Sequence, residues 1–222
     1  MPAGMNRRCL LAGTFAVLAA GVLPVPIALA EVAIGRVSVL LGEAWRETAG
    51  DAQPLQPGAA IRRQDRLITG AESRLEIVFA EGSVLTVGPL SRVEVQRFAP
   101  PGTADAAAEA IIALVAGILK VAVNDAADWD SFQVETSTAV ASVRGTEWVM
   151  EETPDGSAVL VLAGQVAVRG KGAAGDAGES ESTAVIVAAG EGTDVAAGAM
   201  PTPPKIWGEK RRLATLARVA LP

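Results

Sequence analysis

The stretch Val134 to Met150, VETSTAVASVRGTEWVM, sets two runs rich in β-formers on either side of Arg144-Gly145, with residue types alternating on a two-residue period. A period of two sends successive side chains to opposite faces, so the stretch predicts strand, sharp corner, strand. Gly145 has no Cβ, and a glycine inside a strand pattern marks a bulge or corner where φ turns positive or another backbone comes close. Arg144 carries a planar fork of donors suited to a carboxylate or several carbonyls. Its expected role is to pin that corner, with a ligand contact as the alternative.

These residues resemble the signature of the FecR domain family, an all-β extracytoplasmic module. Thr136, Ala139, Val143, Arg144, Gly145, Thr146 and Val149 match it, while Ser137 stands where the family has proline and Trp148 where it has phenylalanine. Two further likenesses lie in Glu81-Gly82-Ser83 followed by Pro89, similar to the family's paired turns, and in Gly190-Glu191-Gly192, similar to its closing A-G-E turn. The resemblance spans about Gly35 to Ala197. Founding FecR proteins carry a cytoplasmic anti-sigma segment and one membrane helix before this domain. Only eight residues precede the first apolar run here, so the expectation is a stand-alone secreted or periplasmic FecR-domain protein without the anti-sigma segment.

That apolar run has the grammar of an export signal. Arg7-Arg8 precede it, it extends from Cys9 to about Leu23, and Pro24, Pro26 and Ala28-Leu29-Ala30 follow, an A-x-A cleavage site. The prolines and the cleavage site argue against a retained membrane anchor. Both the general and the twin-arginine routes fit, and both lead to the periplasm with cleavage after Ala30. Cys9 is the single cysteine and lies inside the signal, with charged Arg7-Arg8 where a lipoprotein motif needs small apolar residues; the mature chain can form no disulfide. Without Arg7 and Arg8, 17 basic residues face 25 acidic ones, a net charge of −8 that repels nucleic acid. The chain has no His and no Tyr, which excludes Ser-His-Asp and Cys-His catalysis and removes the commonest zinc ligand.

Along residues 31–200 short alternating runs recur between turn residues, predicting an all-β domain: a twisted β-sandwich or irregular β-roll of many short antiparallel strands. Val32 to Leu40 reads as a strand, Asp51 to Gly58 as a loop, and Ile61 to Thr69 as a short edge-like pair. Ser73 to Val95 reads as three strands, with Leu75, Ile77 and Phe79 on one face and turns at Glu81-Gly82 and Gly88-Pro89. Gly35, Gly117 and Gly164 each open a G-x-(V/L)-x-V run and are read as tight turns launching strands. Ala104 to Ala110 reads as a helical turn before two strands broken at Gly117. From Gly170 to Thr183 the chain reads as a flexible hairpin loop; Gly170-x-Gly172-x-x-Gly175 formally fits a dinucleotide fingerprint, but no helix start follows it.

After Pro201 to Pro204, a linker, Lys205 to Ala220 predicts a short C-terminal amphipathic helix with Trp207, Leu213, Leu216 and Ala220 near one face and Lys210, Arg211, Arg212 and Arg218 largely elsewhere. It either covers an open sheet end or meets a partner or acidic lipid, with Trp207, Lys210, Arg211 and Arg212 as the interaction candidates. Asp125, Asp128 and Asp130 form the one carboxylate cluster, but they lack the glycine of a calcium loop and read as a polar turn. With Glu151-Glu152 they are the only conceivable glycosidase carboxylates. No catalytic residue, cofactor or metal is expected. The leading expectation is a non-enzymatic periplasmic module that binds an envelope protein or glycan, with a component of a cell-surface sigma/anti-sigma signalling pathway as the alternative and a carboxylate-based carbohydrate-active enzyme third.

Overall fold

Leu75, Ile77 and Phe79 are buried together, and the strand that carries them lies in the first of two packed layers. A computed structural model describes residues 32–48, 51–102, 107–143, 145–172 and 184–221. Among these residues the chain passes back and forth between layers. Strand β1 (Ala33–Leu41) lies in the first layer, β2 (Ala44–Thr48) and β3 (Asp51–Pro54) in the second, β4 (Ala60–Arg62) in the first and β5 (Arg66–Thr69) in the second. The hairpin β6 (Arg74–Phe79) and β7 (Val84–Val87) returns to the first, and β8 (Arg92–Ala99) to the second. After β9 (Glu109–Ala122), β10 (Ser131–Glu135) and β11 (Ala139–Val143) are in the second layer, and β12 (Glu147–Thr153) and β13 (Gly156–Ala163) are in the first. Strands β14 (Gln165–Gly170) and β15 (Val185–Ala188) close the second layer; β16 (Glu191–Ala196) and β17 (Lys205–Ile206) close the first. Helix α1 (Glu209–Val219) ends the chain.

The registers give the first layer the order β4-β1-β6-β7-β9-β12-β13-β16-β17. The second runs β3-β2-β5-β8-β9-β10-β11-β14-β15. Every pairing is antiparallel except β9 with β10, so the sheet is mixed, and its free edges mean that it does not close into a barrel. Strand β9 belongs to both layers. Its first half pairs with β8 and β10, and its second half with β7 and β12. The change of layer falls at Gly117, which has φ +91°; a Cβ there would lie 2.6 Å from the Ser91 Cα. Ser91 pins the bend, its Oγ accepting from the Ile118 amide at 2.9 Å.

Between the layers lies one apolar core. Aromatics are few, yet five of them form a single ladder: Phe79 stacks on Phe98 at 4.6 Å, and edge contacts run on through Trp129 and Phe132 to Trp148. Because Phe79 and Trp148 come from the first layer and Phe98 and Phe132 from the second, the ladder bonds the two sheets through a core otherwise made of Val, Leu, Ile and Ala.

Several local expectations change. Asp51–Pro54 is an exposed edge strand against β2; proline is tolerated there because an edge residue need not donate on both sides. Ile61 to Thr69 does not form an edge-like pair: β4 and β5 lie in different layers, and β5 sits between β2 and β8. Glu109 and Ala110 begin a strand rather than end a helical turn, and the two strands expected around Gly117 are one continuous bent strand. Residues 103–106 lie outside the described set. Gly35 and Gly117 sit inside strands, and of the three repeat glycines only Gly164 stands at a turn before a strand. The segment 134–150 contains the end of β10 as well as the two expected strands.

Candidate functional site

The corner of the signature segment is built as its glycine predicts. Gly145 has φ +128°, and a Cβ on it would lie 2.2 Å from the Asp125 Oδ1. The Thr146 hydroxyl donates to the Gln165 carbonyl at 3.0 Å, and the Val123 amide donates to the Thr146 carbonyl at 3.0 Å, so strands β9, β12 and β14 meet at this corner. Val143 and Trp148 face the core, and Trp148 is fully buried. Arg144 lies outside the described residues.

Thr136 sits at the other end of β11 within a buried polar knot. Its hydroxyl contacts the Ser157 Oγ at 2.7 Å and accepts from the Ala139 amide at 2.9 Å. Ser157 donates to the Glu152 carboxylate at 2.6 Å, Ser137 reaches the same carboxylate, and Thr138 bonds Ser157. The Thr138 hydroxyl also reaches the Val195 carbonyl at 3.3 Å. The knot ties the β10–β11 turn to β12, β13 and β16. Thr136, Val143, Thr146 and Trp148 are buried and Gly145 is half-buried, so their visible contacts are those that hold the fold.

The carboxylates do not converge. Neighbours on one strand point to opposite faces: Glu151 pairs with Arg218 of α1, whereas Glu152 enters the hydroxyl knot. Asp130 accepts from the Ala108 amide at 2.8 Å, and Asp125 lies against Gly145. Among the described residues no three acidic side chains are grouped to hold a metal. Glu81 stands in the β6–β7 turn with both carboxylate oxygens buried and outside hydrogen-bond geometry to any described donor. Burial pushes its carboxyl above the ordinary glutamate range, and the nearby Ser83 hydroxyl offsets only part of that.

The C-terminal tail packs on the outer face of the first layer. Trp207, Val219 and the half-buried Leu216 join Ile118, Val149 and Leu160 in a second apolar cluster. Two glycines make room: a Cβ on Gly192 would meet the Trp207 ring at 2.5 Å, and one on Gly88 would lie 3.0 Å from the Arg218 carbonyl. Arg74 caps the helix, donating from Nε to the Arg218 carbonyl at 3.1 Å and from Nη2 to the Ala217 carbonyl at 2.8 Å. Arg211 lies 3.5 Å over the Trp207 ring and pairs with Asp194, whose carboxyl it holds below the ordinary aspartate range. Helix α1 is shorter than the expected Lys205–Ala220, since Lys205–Ile206 forms β17. Its inner face is Thr215, Leu216 and Val219; Leu213 is 53% exposed and Ala220 is also exposed. Of the four interaction candidates, Trp207 and Arg211 are thus spent on docking, and Lys210 and Arg212 remain at the surface. Among the described residues no helix is long and apolar enough to cross a membrane.

Sequence reasoning passed over one polar hollow of about 580 Å³ on the second layer, lined by Glu47, Arg63, Gln64, Asp65, Arg66, Glu94 and Gln96 among others. Its signal was the charge-dense run Arg62-Arg63-Gln64-Asp65-Arg66, which a linear reading treats as a solvated edge.

Residues 65–167 match the family model described as FecR protein, a stretch running from the β4–β5 turn into β14 and containing the Gly145 corner. Over that stretch the chain is similar to a FecR domain. The domain is similar in fold to two crystal structures of a candidate anti-sigma factor from Parabacteroides distasonis ATCC 8503. The structure at 1.65 Å is 15% identical with TM-score 0.50, covering 68% of this chain and 64% of that one. The structure at 2.50 Å is 16% identical with TM-score 0.51, covering 68% and 63%. This chain thus spans just under two thirds of the length of those structures, and at such identity the likeness is one of fold. No curated protein matches the chain.

Proposed function

We propose that the chain is a component of a cell-surface signalling pathway, with its FecR domain as the exported recognition module. The observation that carries this reading is the FecR match over residues 65–167, which includes both the β6–β7 hairpin and the Gly145 corner. Similarity in fold to a candidate anti-sigma factor supports it further. Of the readings drawn from the sequence, signalling is therefore better supported than a scaffold that merely binds an envelope protein or glycan. The domain acts by binding and not by chemistry, in keeping with a generally non-enzymatic family and with Glu151 and Glu152 pointing apart. Export places it in the periplasm after cleavage behind Ala30.

Deleting the gene and comparing transcripts tests the reading. A signalling component shifts a small, discrete set of genes, restored by the intact gene but not by one encoding Gly145→Val. An unchanged transcript profile in cells that make the protein sinks it. N-terminal sequencing of the protein from the periplasm tests the export step separately, with Glu31 as the expected first residue.

A further inference from the structure

The polar hollow on the second layer is shaped by two departures from regular backbone that converge on it. Gln64, in the turn between β4 and β5, has φ +64°, one of two non-glycine residues in that region among those described. A long side chain rarely adopts this conformation, and such strain persists only where surrounding contacts enforce it. Here they do. The Gln64 amide donates to the Val95 carbonyl at 2.6 Å, the Val95 amide donates to the Asp65 carbonyl at 3.1 Å, and the buried Asp65 carboxylate accepts from the Arg62 amide at 2.8 Å. Arg46 braces the same carboxylate from 3.5 Å.

The second departure is on β8. Val95 pairs with Ile112 and Arg97 with Ile111, so Gln96 is the extra residue of a β-bulge, a device that re-aims a side chain. Both turn and bulge therefore deliver a glutamine carboxamide to one hollow. Arg63, Gln64 and Gln96 are exposed, and their side chains make no hydrogen bond or ion pair among the described residues. The floor is a ready-made row across three strands, Glu47 opposite Arg66 opposite Glu94, with the Arg66 Nε 3.2 Å from the Glu94 carboxylate.

We propose that this hollow is a saccharide-binding site. Planar carboxamides and a guanidinium offer paired donors and acceptors at fixed angles, which suits an array of vicinal hydroxyls. Its volume falls in the range of about 300–1,000 Å³ usual for ligand sites. The hollow's charges nearly balance: Arg63 and Arg66 oppose Glu47, Asp65 and Glu94, and the single negative charge left over suits a neutral sugar better than an anion. Asp65 and Glu94 are held by backbone and guanidinium partners, which leaves binding without hydrolysis. The site stands whether or not the chain signals, and it would supply a glycan input if it does.

Screening the full chain on an array of bacterial envelope and neutral oligosaccharides, then titrating the best binder by NMR, tests the assignment. The expected result is binding that perturbs Arg63, Gln64 and Gln96, survives about 0.5 M salt, where ionic pairing is screened within a few ångströms, and weakens at least about tenfold in Gln64→Gly and in Arg63→Ala/Gln96→Ala. Gln64→Gly relieves the strained backbone, so loss of binding there cannot be ascribed to unfolding. No binder on the array, perturbations at another surface, affinity unchanged in both variants, or binding abolished by salt would each overturn the proposal.

Discussion

At the scale of single residues, what matters most is where a Cβ or a charge has no room. Gly145→Val must place a branched side chain at φ +128° against the Asp125 carboxylate. It should cost on the order of 1–3 kcal/mol, more than Arg144→Ala, as read by denaturant titration; a variant that melts like the parent would show the corner to be an ordinary strand position. Glu81 makes the opposite prediction. Its carboxyl is raised by burial, so the neutral form is favoured in the folded state and the penalty grows as pH rises through the folded-state value. Glu81→Gln should therefore raise the melting temperature at pH 7 and leave it nearly unchanged in acid, where the parent carboxyl is already protonated. Equal effects at both pH values would refute the burial argument.

At the scale of elements, the tail and the bent strand decide most. Helix α1 has no side-chain N-cap and owes its place to Trp207, Val219 and Leu216. Cutting after Pro204 exposes Ile118, Val149 and Leu160 and should lower the melting temperature, while Trp207→Ala alone should cost about 3–5 kcal/mol; unchanged melting in both would mean that the tail does not cover the sheet. The Arg211–Asp194 pair adds a pH dependence of known sign. Because the Asp194 carboxyl is depressed, its contribution is present above the unfolded-state value and fades as pH falls through the folded-state one, so the tail should loosen first in acid. Both partners are partly exposed, which keeps the effect small. Tryptophan fluorescence of Trp207, isolated by replacing the exposed-side Trp45 with Phe, would follow it against the buried Trp129 and Trp148. Strand β9 is the other deciding element. Gly117→Val combines φ +91° with a clash on Ser91 and should uncouple the two layers, seen as loss of cooperative unfolding.

At the scale of the whole molecule, two layers sharing β9 explain how a domain poor in aromatics holds together. Side chains of both layers meet in one core, and the five-ring ladder crosses it, so neither sheet is stable as a separate unit. The outer faces then differ in kind. The chain's own helix packs on that of the first layer, and that of the second bears the polar hollow. Recognition should therefore map to the second layer, and cross-linking or exchange protection by a bound partner should spare α1.

Alternation on a two-residue period was enough to read an all-β fold, the three strands β6 to β8 and the corner at Gly145, because strand periodicity and a missing Cβ are local properties of the chain, whereas the crossing of β8 to the other layer is not. The candidate site was not legible in the same way. Gln64 and Gln96 are 32 positions apart and look like ordinary surface glutamines; only the register of β5 against β8, with its bulge, brings them to one hollow. The tail shows the same division. Its amphipathic pattern was legible, but whether Leu213 or Val219 faced inward depended on Gly88 and Gly192, more than a hundred and about twenty residues upstream, which let the helix approach along one line and no other. Local backbone preference and period are written residue by residue, whereas the meeting of distant side chains follows from which strands pair and in what register, and that is settled only when the whole core packs.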